Sequence, residues 1–524
     1  MSPKGTINQD QPKKKSRRGR KAKIDTLTES SESQSPAKGG EPGGRYRPLN
    51  PEDLNRIHET VLTIMDKTGF SEATPSMIEH VTSSGGIYTN KGRLTFPPEL
   101  VNTAIKGLDR GFTLCGQIPS QDMHLDGTNV HLGSGGASPT IIDLYTGEYR
   151  DSNLLDIYNA ARIVDQQQHI HFFSRPMVAR DMPDEKTLDI NTAYACLAGT
   201  SKHVCVSATY GEHVKDIAKM SFLVAGSKEN FQAKPFLSFN VNHVAPPMRF
   251  SMHGCDVIEQ CAIHGMPAHT NVFSQVGASS PVGLAGAVAQ SVAESLAGGV
   301  FAWLVNPEAK VLFGPKPMIT DLRTGGISGG GGEQAMVMAA ATQMMQFYNL
   351  VNVSIAGATD SKIPDAQSGF EKCLAVSLAA HAGSNLITQA AGTHASLMAT
   401  ALESYVIDND MLGGIMSSLR DVEFTEETLS AQAIDQVARG EGHFLGEADT
   451  YARMKTDFVY PEISDRRNYQ EWIKDGSKDI REIARQKAKQ ILAQHYPNHI
   501  SQQVDNAIRD QFDIRLPQEK MKPV

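Results

Sequence analysis

The chain has 524 residues, more than one minimal domain needs and enough for one large barrel with additions or for two to three domains. Its 40% hydrophobic and 21% charged residues are those of an ordinary globular protein, and no run of 18 uncharged apolar residues marks a membrane span. The net charge of −8 includes eight basic residues between Lys13 and Lys23, so the body is more acidic than the total. That balance argues against nucleic acid as a general partner.

The amino terminus lacks the apolar segment of a secretory signal. Six cysteines (Cys115, Cys196, Cys205, Cys255, Cys261 and Cys373) are scattered, most of them in apolar stretches, as expected of free thiols in a reducing cytoplasm. Residues 1–45 are Lys-, Ser-, Gly- and Pro-rich and should form a disordered basic tail. The run KKKSRRGRKAK, residues 13–23, is the one stretch that suits phosphates, and a solvated tail is its plainer reading.

Folding is expected to begin near Leu49. Asn50-Pro51-Glu52 is a helix start, and Leu54, Ile57, Val61, Leu62 and Met65 follow at helical spacing. Further helices are expected near 76–84 and 97–106, so 46–125 reads as an N-terminal helical layer with a few short strands. Eight apolar strands then begin at Thr128, Ile170, His203, Phe236, His269, Lys310, Val351 and Asn385, each followed by an Ala-rich helical stretch. The spacing is roughly 33–42 residues, the size of a βαβ unit. Residues 126–420 are therefore expected to be an α/β fold, a (β/α)₈ TIM barrel, with a hairpin turning at Thr146-Gly147 in the first unit. Residues 421–524 read as a C-terminal helical extension: a helix over 426–439, a charged one from about 479 to 496, and an amphipathic one over 498–512.

A barrel builds its site at the carboxyl ends of its strands. The groups expected there include Arg175, Ser207, Tyr210, Asn240, Asn242, Asn271, Gln275, Asp321, Arg323, Asp360, Lys362, Gln389 and His394. The set is rich in amides and hydroxyls and poor in carboxylates, which suits orienting a ligand better than paired-acid hydrolysis. No resident metal is expected. Cys255 and Cys261 stand about 240° apart on a helix, and no CxxC or HExxH accompanies them. No GxxxxGK[ST] is present, and the glycine run TGGISGGGGEQ (324–334) lacks the dinucleotide register, although its amides suit an anion. Lys362 raises the idea of an imine-forming lyase, but it follows a glycine break in a polar turn, where such lysines do not usually lie.

The strand-7 segment VNVSIAGATDSKIPDAQ, the GGGGEQA loop, the TALESYVIDNDMLGG helix and the GHFLGEADTYARM…DRRNYQEW segment together resemble the trimethylamine:corrinoid methyltransferase family. The resemblance runs from about Leu49 to Tyr496. It implies a barrel that passes a methyl group from a methylated amine to the cobalt of a corrinoid. The corrinoid is carried by a separate small protein, so no tightly bound cofactor is expected. Founding members carry pyrrolysine at the active site; the resemblance puts that position in the Asp360–Pro364 turn, at or beside Lys362. Its lack here points to the non-pyrrolysine branch and to a quaternary amine such as glycine betaine, carnitine or proline betaine. The resemblance thus assigns Asp360 and Lys362 to catalysis, with Asn242, Gln275, Arg323, His394, Tyr210 and Phe273 as substrate contacts. A betaine carboxylate would meet Arg175, Arg323, His394 or the glycine-run amides. The rival readings are a Lys-dependent barrel lyase and a non-catalytic binder or regulator; a homo-oligomer is also expected.

Overall fold

The computed structural model describes residues 35–440 and 442–523. The basic run 13–23 lies outside these residues. Eight parallel strands close into a barrel: β1 Asn129–Leu132, β2 Phe172–Ser174, β3 His203–Val206, β4 Leu237–Asn242, β5 Ala268–Val276, β6 Val311–Ile319, β7 Val353–Ile355 and β8 Leu386–Thr388. Continuous ladders join β2 through β6, and β7–β8–β1. The bridges Gly133–Phe172 and Phe313–Asn352 complete the ring. Each strand leads into a helix on the outer layer: α1 Leu154–Asp165, α2 Glu185–Gly199, α3 Gly211–Ala225, α4 Met252–His264, α5 Leu284–Val305, α6 Gly332–Phe347, α7 Ala366–Ala382 and α8 Leu402–Leu419. All eight expected strands are present. One of the helices, α5, is long and apolar enough to cross a membrane, but 83% of its apolar window is buried in the fold.

The seam beside β6 explains how a strand carrying two prolines fits. The amide of Phe313 donates to Val351 O at 2.9 Å, so residues 313, 315 and 317 face β7. Beyond Phe313 that side has no ladder, and Pro315 and Pro317 occupy positions whose missing N–H has no partner to lose. On the other side β6 pairs with β5 through Ile319.

The layer before the barrel has the expected helices, Pro51–Thr63, Pro75–Ser83 and Pro98–Gly107, the first with a capping box between Asn50 and Asp53. A hairpin, Gly111–Leu114 with Met123–Asp126, follows. Its Phe112, Leu114, Met123 and Leu125 pack against Phe172, Leu312, Val353 and Leu386 from the strands. This closes the amino end of the barrel, so a ligand enters from the carboxyl end.

Three expectations are corrected. The tail is ordered well before residue 45, because Glu41–Pro42 pairs antiparallel with β1. Its glycines serve close packing: a Cβ on Gly43 would lie 2.1 Å from Ala380 O. The helix expected over 426–439 is two, Glu426–Leu429 and Ala431–Arg439, with Ser430 between them at φ +52°. The last helix starts later, at Gln502, because Ser501 caps it by accepting from Val504 N. Ser430–Phe458 belongs to a separate compact unit from the body, Ala37–Leu429 and Val459–Val524.

Within the body, the helix Ile480–Gln494 packs on α8 and α1. Arg162 of α1 donates to Leu492 O at 2.7 Å and His495 O at 2.8 Å, and its guanidinium lies 4.1 Å from the Tyr496 ring centre. A buried ion pair joins two barrel helices: Lys372 Nζ of α7 lies 2.7 Å from Asp408 Oδ2 of α8, which also accepts from Gly392 N at 2.8 Å. Removing one partner leaves the other charge buried and alone. Lys372→Met should lower unfolding free energy by about 3–5 kcal/mol. The double variant Lys372→Met/Asp408→Leu should recover most of that loss in urea unfolding, and a double variant as unstable as the single one contradicts the pair's role.

Candidate functional site

Side chains alternate between faces along a strand, and the inward positions of the barrel form layers above the hairpin plug. The lowest polar layer is His203, Cys205, Ser238 and His269. Ser238 Oγ lies 2.9 Å from His203 Nε2, 3.0 Å from His269 Nε2 and 3.2 Å from Cys205 Sγ. Burial keeps both imidazoles neutral, holding His203 at about 4 and His269 well below its usual value, and pushes the Cys205 thiol up to about 12.

Above this layer the mouth encloses a cavity of about 330 Å³. Its polar lining comes mostly from strand ends: Ser174 and Arg175 at the end of β2, Ser207 after β3, Asn240 and Asn242 on β4, Asn271 on β5, Lys316 on β6, Thr388 and Gln389 at the end of β8. Phe273 is the one aromatic in that lining among the described residues, with Ile327, Leu397 and Met398 adding apolar surface. A chain of hydrogen bonds runs across the strands, Asn271 Nδ2 to Asn240 Oδ1 at 3.2 Å and Asn240 Nδ2 to Ser174 Oγ at 3.0 Å. Gly314 makes room for it, since a Cβ there would meet Asn271 Oδ1 at 2.2 Å. Asn271 Oδ1 and Gln389 Oε1 are buried acceptors without a hydrogen-bond partner. Gln389 also holds the left-handed conformation at φ +59°, which a non-glycine residue adopts at a cost.

Lys316 brings a charged group from β6 into the lining. It is 2% exposed, faces Phe273 across the β5–β6 ladder, and its Nζ lies 5.1 Å from that ring's centre. Among the described residues nothing accepts a hydrogen bond from it, and burial lowers its ammonium to about 7. Arg175 Nη2 has a single distant contact, Ser207 Oγ at 3.4 Å. No carboxylate lines the cavity among the described residues.

The expected site residues divide by place. Asn242 and Phe273 line the cavity. Asp360 sits on the rim and binds loops: it accepts from Gly329 N at 2.9 Å, Gly330 N at 3.5 Å, Ser328 Oγ at 3.4 Å and Ser396 Oγ at 2.7 Å. The glycine amides expected to meet a substrate carboxylate therefore meet this one. The glycines allow that closeness, because a Cβ on Gly329 would lie 2.1 Å from Ala358 O. Ser396 belongs to a run of left-handed residues, Ala395, Ser396 and Leu397, whose backbone is pinned by Ala395 N to Ser361 O at 2.8 Å and Ser396 N to Thr359 O at 3.0 Å. Asp360 itself is set by Glu371, which accepts from its amide at 2.8 Å.

Lys362 is exposed, donates to Asp360 O at 2.7 Å and stands outside the cavity, with Tyr149 of the first-unit hairpin bonded to its carbonyl. Arg323 is 88% exposed at its side chain and pairs with Asp321 at 2.8 Å. His394 is buried, with Nε2 2.6 Å from Ser404 Oγ, and desolvation keeps it neutral. Tyr210 packs edge-on against His213 and His253, and Gln275 opens the turn that ends β5. Two further strand aromatics, Phe173 on β2 and Phe239 on β4, are buried in the hydrophobic core.

Lys316 was not among the expected residues. It lies just past the apolar run KVLFGP (310–315) that opens strand 6, and the alternation Leu312, Gly314, Lys316 is the signal that carries it inward.

Because Asp360 bonds both the glycine loop and the left-handed turn, Asp360→Ala should loosen both. Amide exchange at Gly329 and Gly330 is expected to quicken at least about 10-fold, with the barrel strands still protected. Unchanged exchange there would remove Asp360 from this role.

The family model for trimethylamine methyltransferase (MTTB) matches residues 15–519 of this chain. Trimethylamine methyltransferase MttB of Desulfitobacterium hafniense is 29% identical over 459 residues, 87% of this chain and 92% of that protein. Trimethylamine methyltransferase MttB2 of Methanosarcina mazei is 31% identical over 452 residues, 85% of this chain and 90% of that protein. Glycine betaine methyltransferase of Desulfitobacterium hafniense is 26% identical over 462 residues, 88% of this chain and 95% of that protein. The match spans the hairpin plug, all eight barrel units and the helices beyond them, and so the chain belongs to the trimethylamine methyltransferase (MTTB) family.

Proposed function

We propose that this chain moves a methyl group from a quaternary methylated amine, such as a betaine, to the cobalt of a corrinoid carried by a separate small protein. The observation that carries this reading is the lining of the mouth cavity. It offers the Phe273 ring and the unpartnered Asn271 Oδ1 and Gln389 Oε1, and no Asp, Glu, His, Cys or Tyr among the described residues.

A quaternary nitrogen has no N–H to donate. Its positive charge spreads over the attached methyl groups, which suit an aromatic face and partly negative amide oxygens. One aromatic face supplies about 0.5–2 kcal/mol. In the transfer, cobalt(I) attacks the methyl carbon and the carbon–nitrogen bond breaks. The bonding pair stays on nitrogen, which leaves as a neutral tertiary amine, so no proton is required there. The protein's share is position and electrostatics, and the rigid strand ends provide both. The closed amino end and the open carboxyl end leave one side for the corrinoid protein to approach.

In this reading Phe273 and Asn242 contact the amine, and Asp360 is a positioning residue that shapes the rim. Lys362 stands where the corrinoid protein would arrive. The relatives named for trimethylamine and for glycine betaine support the reaction class.

The test mixes the protein with its purified corrinoid partner in the cobalt(I) state and a panel of glycine betaine, carnitine, proline betaine and trimethylamine. Methylcobalt absorption should appear with at least one quaternary amine, at least about 10-fold faster than with trimethylamine. Phe273→Leu should raise KM for that amine about 2- to 30-fold, the loss of one aromatic contact. Transfer from trimethylamine alone, or from none of the four, overturns the reading.

A further inference from the structure

The Phe273 ring that suits a methylated cation already has a cation of the protein beside it. Lys316 Nζ lies 5.1 Å from the ring centre, within the range of a cation–π contact. The two residues are neighbours across the β5–β6 ladder, so the strand register holds them together. The remaining ring surface is limited, because Phe273 also packs against the apolar cluster of Met318, Met338 and Ile355. Lys316 is 2% exposed, and Pro315 and Pro317 stiffen the strand on either side of it. Its ammonium has no acid to move to, since none lines the cavity among the described residues. A second positive charge brought to the ring meets the first at close range, and like charges so placed disfavour one another's charged form.

We propose that Lys316 and the methylated amine compete for the Phe273 face, and that the amine takes it only as Lys316 gives up its proton. Lys316 then acts through Phe273 as a positioning residue. Protonated, it holds the ring and excludes cations; neutral, it leaves an apolar stem and an uncharged amine. This rests on the proposed methyl transfer for the identity of the amine, and it adds the protonation state in which the site accepts it. One proton passes from Nζ to solvent, and no other bond forms or breaks.

The groups around Lys316 set where this happens. Cys205 of β3 is held at about 12, and His269 of β5 stays neutral. Arg175 of β2 keeps its charge throughout and so adds no pH dependence. From β4 and β8 the lining receives uncharged groups, Asn240, Asn242, Thr388 and Gln389. At the rim Asp360 is bonded to Gly329 N and Ser396 Oγ, and Glu333 of α6 is exposed. Glu294 of α5 also titrates at about 7, but it accepts from Met248 N at 2.8 Å and Gln290 Nε2 at 3.0 Å outside the cavity lining, and variants of Lys316 separate the two. Burial holds Lys316 itself at about 7, so it is charged below that and largely neutral above. A bound cation favours the neutral form. Binding below pH 7 therefore expels a proton, while at about pH 8 the proton has already gone, so affinity rises with pH and levels off above about 7.

The experiment is titration calorimetry of the full chain with tetramethylammonium, choline and the uncharged carbon analogue of choline, in buffers of different ionisation heat. Tetramethylammonium has no titratable group, so any proton released comes from the protein. Both cations should bind about 10-fold tighter at about pH 8 than at about pH 6, as expected of a site that must lose one proton held at about 7. Their heat should vary with the buffer at about pH 6, which shows proton release, and the variation should fade at about pH 8. The carbon analogue should show neither effect. Lys316→Met should bind both cations equally at the two pH values, and at least as tightly as the wild type does at about pH 8. Lys316→Arg, charged at both, should bind them as weakly at about pH 8 as the wild type does at about pH 6. Damage to the barrel would instead weaken both variants alike. Cation binding that ignores pH, proton uptake in place of release, no binding of either cation, or a linkage that persists in Lys316→Met overturns the proposal. Proton-linked cation binding without methylcobalt formation from any methylated amine upholds the competition and overturns the methyl transfer reading. Methylcobalt formation with pH-independent binding overturns the competition alone.

Discussion

A single carboxylate shapes the mouth of this barrel by facing away from the cavity. Asp360 bonds the amides of the glycine-rich loop and the hydroxyl of Ser396, and so joins the loops that follow strands 6 and 8. Glu371 holds Asp360 from behind. Two consequences follow. The left-handed turn through Ser396 and Leu397, costly on its own, keeps its shape and lines the cavity. Asp360 is also taken up by these loop groups, and no acid lines the cavity beside Lys316 and Arg175 among the described residues.

The rest of the barrel supports that arrangement. The hairpin plug shuts the amino end with Phe112, Leu114, Met123 and Leu125, and the neutral layer of His203, Ser238, Cys205 and His269 lies above it. The cavity floor is therefore built of neutral groups apart from Lys316. The prolines on either side of Lys316 fix its stretch of β6 at no hydrogen-bond cost, because their side of the strand is unpaired. The strand opens a seam next to the residue that needs to be held rigid.

Most of the scaffold was legible in the chain. Eight runs of β-branched and aromatic residues, each followed by an Ala-rich stretch, gave all eight strands and their order, because period and spacing are local properties. The site was less so. Asp360 stood out as a mouth residue, but its partners are 30 to 36 positions away on either side, and no spacing rule reveals that. Arg323 and Lys362 were charged groups in loops, and loops as readily turn outward. Phe273 and Asn242 were found because strand-end position and inward alternation agreed. Lys316 was missed because Pro315 reads as a strand end, and only the open seam beside β6 removes that objection. The glycines at 40, 43 and 44 gave the opposite error: composition suggested disorder where the backbone packs tightly.

The account rests on the mouth cavity holding the methylated amine, and a crystal structure with N,N-dimethylglycine, the demethylated form of a betaine, examines that most directly. The methylated nitrogen is expected toward the Phe273 ring, within the lining that holds Asn271 and Gln389. A molecule bound outside the mouth cavity, or a methylated nitrogen turned away from Phe273, would contradict it.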